Sequence, residues 1–229
     1  MLSISAADNW QISHPGAIIG LLEISGAGGI HSSLELEARK RELESHLRQR
    51  YQGFTRKDFL ALPILSAYDR YYNRFDKTYH VQLQLESIVL KGKSLPAVSP
   101  LVDANFMAEV ETFLLSAGHD AAKLVQPVVM DVSREGESMM QMNGVPKVIR
   151  AGDMIMRDAD GLACSILYGQ DNRSPISIET AHVLYVTYAP LGVPAESVEA
   201  HLRKIEENIR IFSKSAVLEQ LRLLLAEGG

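Results

Sequence analysis

Apolar positions along this chain change their period from block to block, and the blocks predict the elements. Gly16 to Ser25, GAIIGLLEIS, is almost continuously apolar and closes on SGAGG, which predicts a buried strand followed by a turn. In SSLELEARKRELESHLRQRY, Leu36, Leu43, Leu47 and Tyr51 share one helical face, with charges on the others. The helix starts near Ser33, whose hydroxyl is placed to cap it. A further helical run, YHVQLQLESIVLKG, ends at Gly92, and KSLPAVSP follows as a rigid loop with Pro96 and Pro100. LVDANFMAEVETFLLSAGHD is expected to begin as loop and continue as helix. From Val125 the pattern turns strand-like, in VQPVVMDV, MIMRDADGLACSILYG and AHVLYVTYAP, with turn signals at Asn143-Gly144 and Asp160-Gly161. Pro194 opens the last long helix, where Val198, Leu202, Ile205, Ile209 and Phe212 recur at spacings of four and three. A Leu-rich piece, AVLEQLRLLLAE, follows it.

These blocks predict an α+β chain: a β-rich centre over about 125–190, covered by helices near 34–50, 57–91 and 195–212. One domain is expected over residues 1–229, with 195–229 as a C-terminal helical extension packed on it. The leucine stripe of that extension serves either the body of the chain or a homodimer through the C-terminal helices.

Composition narrows the classes. Of 229 residues, 46% are hydrophobic and 22% charged, so a sizeable core can form. The first twenty residues lack a basic start followed by an apolar block, and no run approaches the ~18 apolar residues of a membrane span. With a single cysteine, Cys164, no internal disulfide can form, so a cytoplasmic home and no membrane contact are expected. The 23 Lys and Arg against 28 Asp and Glu give a net charge of -5, which argues against a coat for long nucleic acid. Locally the balance reverses, with seven Lys/Arg against four Asp/Glu between Arg56 and Lys93. Eight of the fifteen aromatic residues lie between Tyr51 and His80, interleaved with cations such as Arg70, Arg74 and Lys77. Rings beside cations can stack bases and hold phosphates, or the rings can face the core while the cation stems reach outward.

Several chemistries find no support in the sequence. Gly26, Gly28 and Gly29 lack the Lys-Ser/Thr of a phosphate loop, and His31 stands where a dinucleotide fingerprint needs glycine. The seven histidines show neither HxH nor HxxxH spacing, so no metal site and no cofactor are expected. No GxSxG elbow is present, and Cys164 falls in an apolar strand pattern that suits an inert thiol.

Two polar clusters remain. Asp103 and Asn105 lie in LVDANF, with His119 and Asp120 about one short helix later in AGHD. Gln170, Asp171, Asn172, Arg173 and Ser174 stand together in GQDNRS between two apolar strands. The first cluster can hold a ligand or cap helix and turn. The second can line a site or form a surface hairpin.

The segments KGKSLPAVSPLVDANFMAEV, SAGHDAAKL, GDMIMRDADGLACSILYGQD and NRSPISIETAHVLYVTYAPLGVPAESVEAHL resemble, in order and separation, the B3/4 domain of the phenylalanyl-tRNA synthetase beta chain in its free-standing form. The resemblance runs from around Pro15 to Phe212. It implies a barrel- or sandwich-like β core with flanking helices, and a chamber that hydrolyses tyrosine wrongly esterified to the phenylalanine tRNA. The chain departs from the synthetase at Ala117, where that family has a histidine three positions before the Asp. The acid of the family's Gly-Gly-Glu turn is displaced here to Asp171, and Ser174 stands where free-standing members tend to carry Thr.

The resemblance makes tRNA, mischarged and of unknown identity, or an amino-acid-like small molecule the expected partner. Asp171 and His119 are then the candidates for proton transfer. Asp103, Asn105, Asp120, Gln170, Arg173 and Ser174 are candidates for substrate binding, and Arg70, Arg74 and Lys77 for phosphate contacts. Two functions compete: a trans-editing deacylase acting on the aminoacyl ester, and a non-catalytic binder of RNA or an amino-acid-like molecule using the same pocket. Aminoacylation is not expected, because no synthetase core is present.

Overall fold

The computed structural model describes residues 1–29 and 32–226; His31 therefore lies outside the described residues. The chain opens with β1 (Ile4–Ala6), α1 (Asp8–Ser13) and β2 (Ile18–Ser25), then runs through five helices. These are α2 (Leu34–Arg50), α3 (Arg56–Leu60), α4 (Pro63–Asn73), α5 (His80–Val89) and α6 (Pro100–Thr112). Strands follow: β3 (Ser116–Asp120), β4 (Val128–Val132), β5 (Ser138–Met140), β6 (Pro146–Val148), β7 (Met154–Asp158), β8 (Gly161–Ser165), β9 (Gly169–Gln170) and β10 (His182–Ala189). The chain ends with α7 (Ala195–Phe212) and β11 (Val217–Leu225).

This is an α+β architecture with separate sheets rather than a closed barrel. One sheet has the order β1-β4-β7-β8-β9, the other β11-β2-β10-β3, and β5 pairs with β6 in a small hairpin. Among the described residues, only the β1–β4 pairing is parallel. The β-rich centre over 125–190 is present, but it recruits β1, β2 and β11 from the two ends of the chain.

The expected 57–91 helix is three helices, because Pro63 starts α4 afresh and Asp76, at φ 51, helps turn the chain between α4 and α5. LVDANF is helical from its first residue, since Pro100 occupies a first-turn position and needs no N–H partner there.

The C-terminal extension is not helical throughout. Residues Val217–Leu225 form β11, an edge strand paired along the length of β2 with an irregularity between Leu218 and Gln220. The stripe Val198, Leu202, Ile205 and Ile209 is buried inside the chain, where α7 packs on β2 and α6. That apolar face is therefore not available to a second copy.

The aromatic-rich segment builds core. Tyr68, Tyr71, Tyr72 and Tyr79 are buried, and each hydroxyl donates to a protein oxygen: Tyr188 O at 2.7 Å, Asp153 Oδ1 at 2.7 Å, Ile166 O at 2.7 Å and Phe113 O at 3.0 Å. Tyr68 and Tyr79 stack with ring centroids 4.2 Å apart. These rings face inward, so they offer no platform for bases, and the cations beside them reach the surface on their own stems.

Candidate functional site

The polar clusters of the sequence meet around one cavity of about 300 Å³. α6 supplies Asn105, the edge strand β3 supplies Ala117 and Gly118, and β9 supplies Gln170. The remaining wall is mostly apolar, with Val102, Phe106, Leu115, Ile176 and Tyr188 among its residues. A cavity of this kind, apolar with a few convergent polar groups, suits a small ligand carrying an apolar side chain.

Three polar features of the wall have chemistry to offer. Asn105 Nδ2 donates to Ser116 O at 3.3 Å, while its Oδ1 is buried with no partner among the described residues. Gly118 is the second. Ser116 N donates to Glu109 at 2.9 Å and Asp120 N to Ser174 O at 2.9 Å, both on the side of β3 away from β10. Alternation along an antiparallel strand turns the N–H and C=O of Gly118 away from β10; the His119–Pro175 bridge lays Ile176 beside that C=O, and Gly118 N–H lies on the same edge, next to the cavity that Gly118 lines.

His80 is the third, and sequence reasoning missed it. Its Nδ1 lies 3.3 Å from the Tyr72 hydroxyl, which already donates to Ile166 O. His80 must therefore be the donor through Nδ1, which leaves Nε2 as an acceptor for a water or ligand proton. Surrounding protein lowers its pKa, so the ring is neutral at physiological pH even though the residue keeps solvent contact at the wall. Only the fold brings His80, with Tyr72 behind it, to one wall with Asn105; no spacing in the sequence signals it.

Behind the wall, other predicted residues hold Gln170 and one another. His119 Nδ1 lies 2.8 Å from Ser174 Oγ and 3.0 Å from Gln170 Nε2. Ser174 Oγ lies 3.0 Å from Asp171 Oδ1, and Gln170 Nε2 also donates to Ser174 O at 2.7 Å. His119 is fully buried, and burial pushes its pKa down to about 3, so it is a neutral hydrogen-bond node. Asp171 is buried with its Oδ2 2.6 Å from Arg173 Nε, and Arg173 Nη1 donates to Asp158 Oδ1 at 3.0 Å. The Arg173 guanidinium is thus held by two carboxylates and does not line the cavity.

Two predicted residues leave the site altogether. Asp103 is buried against Lys40, whose Nζ lies 2.7 Å from its Oδ2, while its Oδ1 accepts from Val98 N at 3.0 Å. Asp120 caps the turn Ala121–Lys123 through Ala122 N at 3.2 Å and accepts from Thr180 Oγ1 at 2.9 Å. For both, the capping and clamping role describes the geometry, and neither lines the cavity. Cys164 does line it, with its thiol pushed up to about 12 by burial, so it is protonated and unreactive.

Of the cations, Arg70 and Arg74 project from the end of α4 to a separate cleft, whereas Lys77 sits 4.7 Å over the Tyr168 ring. The three do not form one stripe. Among the described residues, no group of three or more His, Cys, Asp or Glu is placed to hold a metal ion. No described helix is long and apolar enough to cross a membrane.

Gly118 gives a direct handle on the cavity. A Cβ there would lie 2.7 Å from Ile176 Cδ1 and 3.0 Å from Tyr185 Cε1, two wall residues. Gly118→Val should therefore narrow the cavity and weaken binding of a small apolar ligand by ten-fold or more, with a smaller change in thermal stability. Titration calorimetry and a melting curve check this. Unchanged affinity would mean the ligand sits elsewhere.

No family model matches the chain, and no curated protein matches it. Among solved structures, an N-terminal fragment of the phenylalanyl-tRNA synthetase beta-subunit from Pyrococcus horikoshii is similar with a TM-score of 0.47 and 6% identity. The match covers 97% of this chain and 50% of that one, so the chain spans about half the length of the fragment it resembles.

Proposed function

We propose that the cavity binds an amino acid as its ester at the 3′ end of a mischarged tRNA, and that the protein is a trans-editing aminoacyl-tRNA deacylase. The observation that carries this reading is the apolar cavity of about 300 Å³ itself, into whose wall the polar residues Asn105 and Gln170 converge. The α-amino group of the ligand meets the polar part of the wall at Asn105 and Gln170, and the amino-acid side chain fills the apolar volume.

Charge favours the ester over the free amino acid. Among the described residues, no Lys, Arg, Asp or Glu lines the cavity, and His80 is neutral. A free carboxylate would enter without a cation to meet it, a penalty that an ester does not carry. In this reading Gly118 N–H meets the ester carbonyl, and a backbone donor of this kind stabilises the oxyanion that forms as water adds. His80 Nε2 accepts a proton from that water and returns it to the ribose oxygen as the ester C–O bond breaks, which releases the free amino acid and the tRNA 3′-terminal hydroxyl. His119, Ser174 and Asp171 act through Gln170, which they hold against the wall; they are positioning residues in this reading. The segments that resemble the B3/4 editing domain point to tRNA as the carrier of the ester.

The test follows ester loss over time on a panel of mischarged tRNAs. Asn105→Ala should weaken binding of a non-hydrolysable 3′-aminoacyl adenosine by about ten-fold or more. His80→Gln should leave that binding near wild type and slow hydrolysis by about 10²-fold or more. Binding without ester loss on any tRNA would favour the second reading, a non-catalytic binder with the same pocket. No binding of the analogue would end both.

A further inference from the structure

A second cleft, of about 250 Å³, opens where the end of α4 meets the segment after α1 and the turn after β10. Ser13, His14, Arg70, Tyr71, Arg74 and Leu191 are on its wall. It shares no lining residue with the cavity described above. We infer that this cleft is a binding site for a phosphate group carried by a nucleotide or an RNA strand.

Three observations converge on an anion. Arg70 and Arg74 are exposed and lie one helical turn apart, and neither has a carboxylate partner within ion-pair distance among the described residues. In a chain with net charge -5 and many paired arginines, two unpaired neighbours on one wall stand out. His14 is the second observation. It is only 6% exposed, it lines the cleft, and its Nε2 is buried without a partner.

The third is the way the guanidinium groups are held. Arg74 lies over the Tyr71 ring at 4.8 Å and the Phe75 ring at 5.2 Å, which fixes its plane. Arg70 donates from Nη1 to Ser66 Oγ at 2.9 Å. Its Nη2 lies 2.9 Å from where a Cβ on Gly192 would stand, and Gly192 has φ 100. A side chain at residue 192 would therefore push the end of Arg70 out of this position. Two pre-oriented forks with an imidazole beside them match the oxygens of a phosphate, and planar forks suit it better than point charges. Arginines at a helix C-terminus also complement the helix dipole, but that role needs neither the cleft nor His14.

The site stands or falls independently of the editing reading. The probes are inorganic phosphate, a nucleoside 5′-monophosphate, and a short RNA lacking terminal phosphates, each titrated into the full chain. Binding is read by calorimetry and by the shift of the His14 ring signals in NMR. All three probes share the chemistry; preference for the monophosphate assigns a terminal phosphate, and preference for the RNA assigns the strand backbone. Arg70→Gln and Arg74→Gln should each weaken the preferred probe by about ten-fold, with melting temperatures unchanged because both residues are exposed. Arg74→Lys, which keeps the charge and loses the fork, should weaken it too. Gly192→Ala should displace Arg70 and weaken binding without removing any charge. The proposal is overturned if phosphate probes leave the His14 signals in place, or if the double variant Arg70→Gln/Arg74→Gln binds them as wild type does. A carboxylate such as acetate binding as well as phosphate would overturn the phosphate assignment.

Discussion

Lys40→Met should destabilise the protein by about 3–5 kcal/mol, roughly a 10 °C drop in melting temperature for a chain of this size. Lys40 is fully buried, with its Nζ 2.7 Å from Asp103 Oδ2, 2.6 Å from Glu37 Oε1 and 3.0 Å from Pro96 O. Removing the ammonium leaves Asp103 charged and enclosed, since Glu37 can turn to solvent and Asp103 cannot. The double variant Lys40→Met/Asp103→Leu should recover most of the loss, because a buried ion pair replaced by apolar groups of similar volume is often near neutral. Denaturant unfolding of the four species of the cycle measures this.

The same cycle separates two roles for Asp103. Its Oδ1 accepts from Val98 N, and Val98 lies on the cavity wall, so the residue shapes the cavity through the 96–98 segment. A clamp predicts that stability and ligand affinity move together and recover together in the double variant. A ligand contact predicts that affinity stays lost when stability returns. A single variant that melts within 1 °C of wild type would show that Lys40 and Asp103 do not form the buried pair.

Regular periods made some elements legible in the sequence. α2 begins where its Ser33 cap was expected, with Ser33 Oγ accepting from Leu36 N at 3.1 Å, and α7 follows its stripe from Ala195 to Phe212. β11 was hidden by its own bulge. The irregularity at Leu218 and Gln220 breaks strict alternation, so the half-buried positions 218, 220, 221, 223 and 224 fall at a spacing close to three. Leucine, glutamine, glutamate and arginine also favour helix, and pairing with β2 overrides that preference. β3 was hidden for a different reason: Ser, Ala, Gly, His and Asp form strands poorly, and only the β10 partner makes SAGHD one.

The site was legible as residue types and not as roles. Asn105 and Gln170 were visible as polar residues near apolar blocks, and they reach the cavity wall. His119 and Asp171 looked equally chemical, yet burial and pairing turn them inward to Ser174 and Arg173. His119 reaches Ser174 across 55 residues, which no local pattern carries, and the Asp171–Arg173 pair, though local, reads in sequence like any exposed ion pair until the fold buries it. Arg70 and Arg74 were visible as cations, while His14, the neighbour that makes their cleft a candidate site, belongs to a segment 56 residues earlier than Arg70.

Glu109 should make stability fall as the solution turns alkaline. It is fully enclosed on α6, one turn after Asn105, with Oε1 accepting from Ser116 N at 2.9 Å. Burial pushes its pKa up to about 8, against the smaller opposing effects of the Ser116 N–H and the Asn105 amide. The carboxyl is therefore protonated in the folded chain at neutral pH and ionised in the unfolded one. A folded-state pKa above the unfolded value means full stability below about pH 4.5, progressive loss from there to about pH 8, and no further change beyond. Asp153, raised to about 7 by burial, acts in the same direction over a lower window. His14, His119 and His201 act oppositely, since burial lowers them to about 4, 3 and 3 and their contribution is lost as pH falls below 6.5. A comparison with Glu109→Gln isolates one group from this sum. The amide keeps the acceptor for Ser116 N and does not ionise, and His201, which shares Ser116 through a 2.6 Å contact, stays neutral throughout pH 5–9. The stability of Glu109→Gln relative to wild type should therefore climb between pH 5 and pH 8 by a few kcal/mol and then level off. Urea unfolding at half-unit steps of pH reads the difference directly. A flat difference across that range would mean that Glu109 ionises in the folded chain much as it does in the unfolded one, and that the protonated acid behind Asn105 and Ser116 is not part of this site.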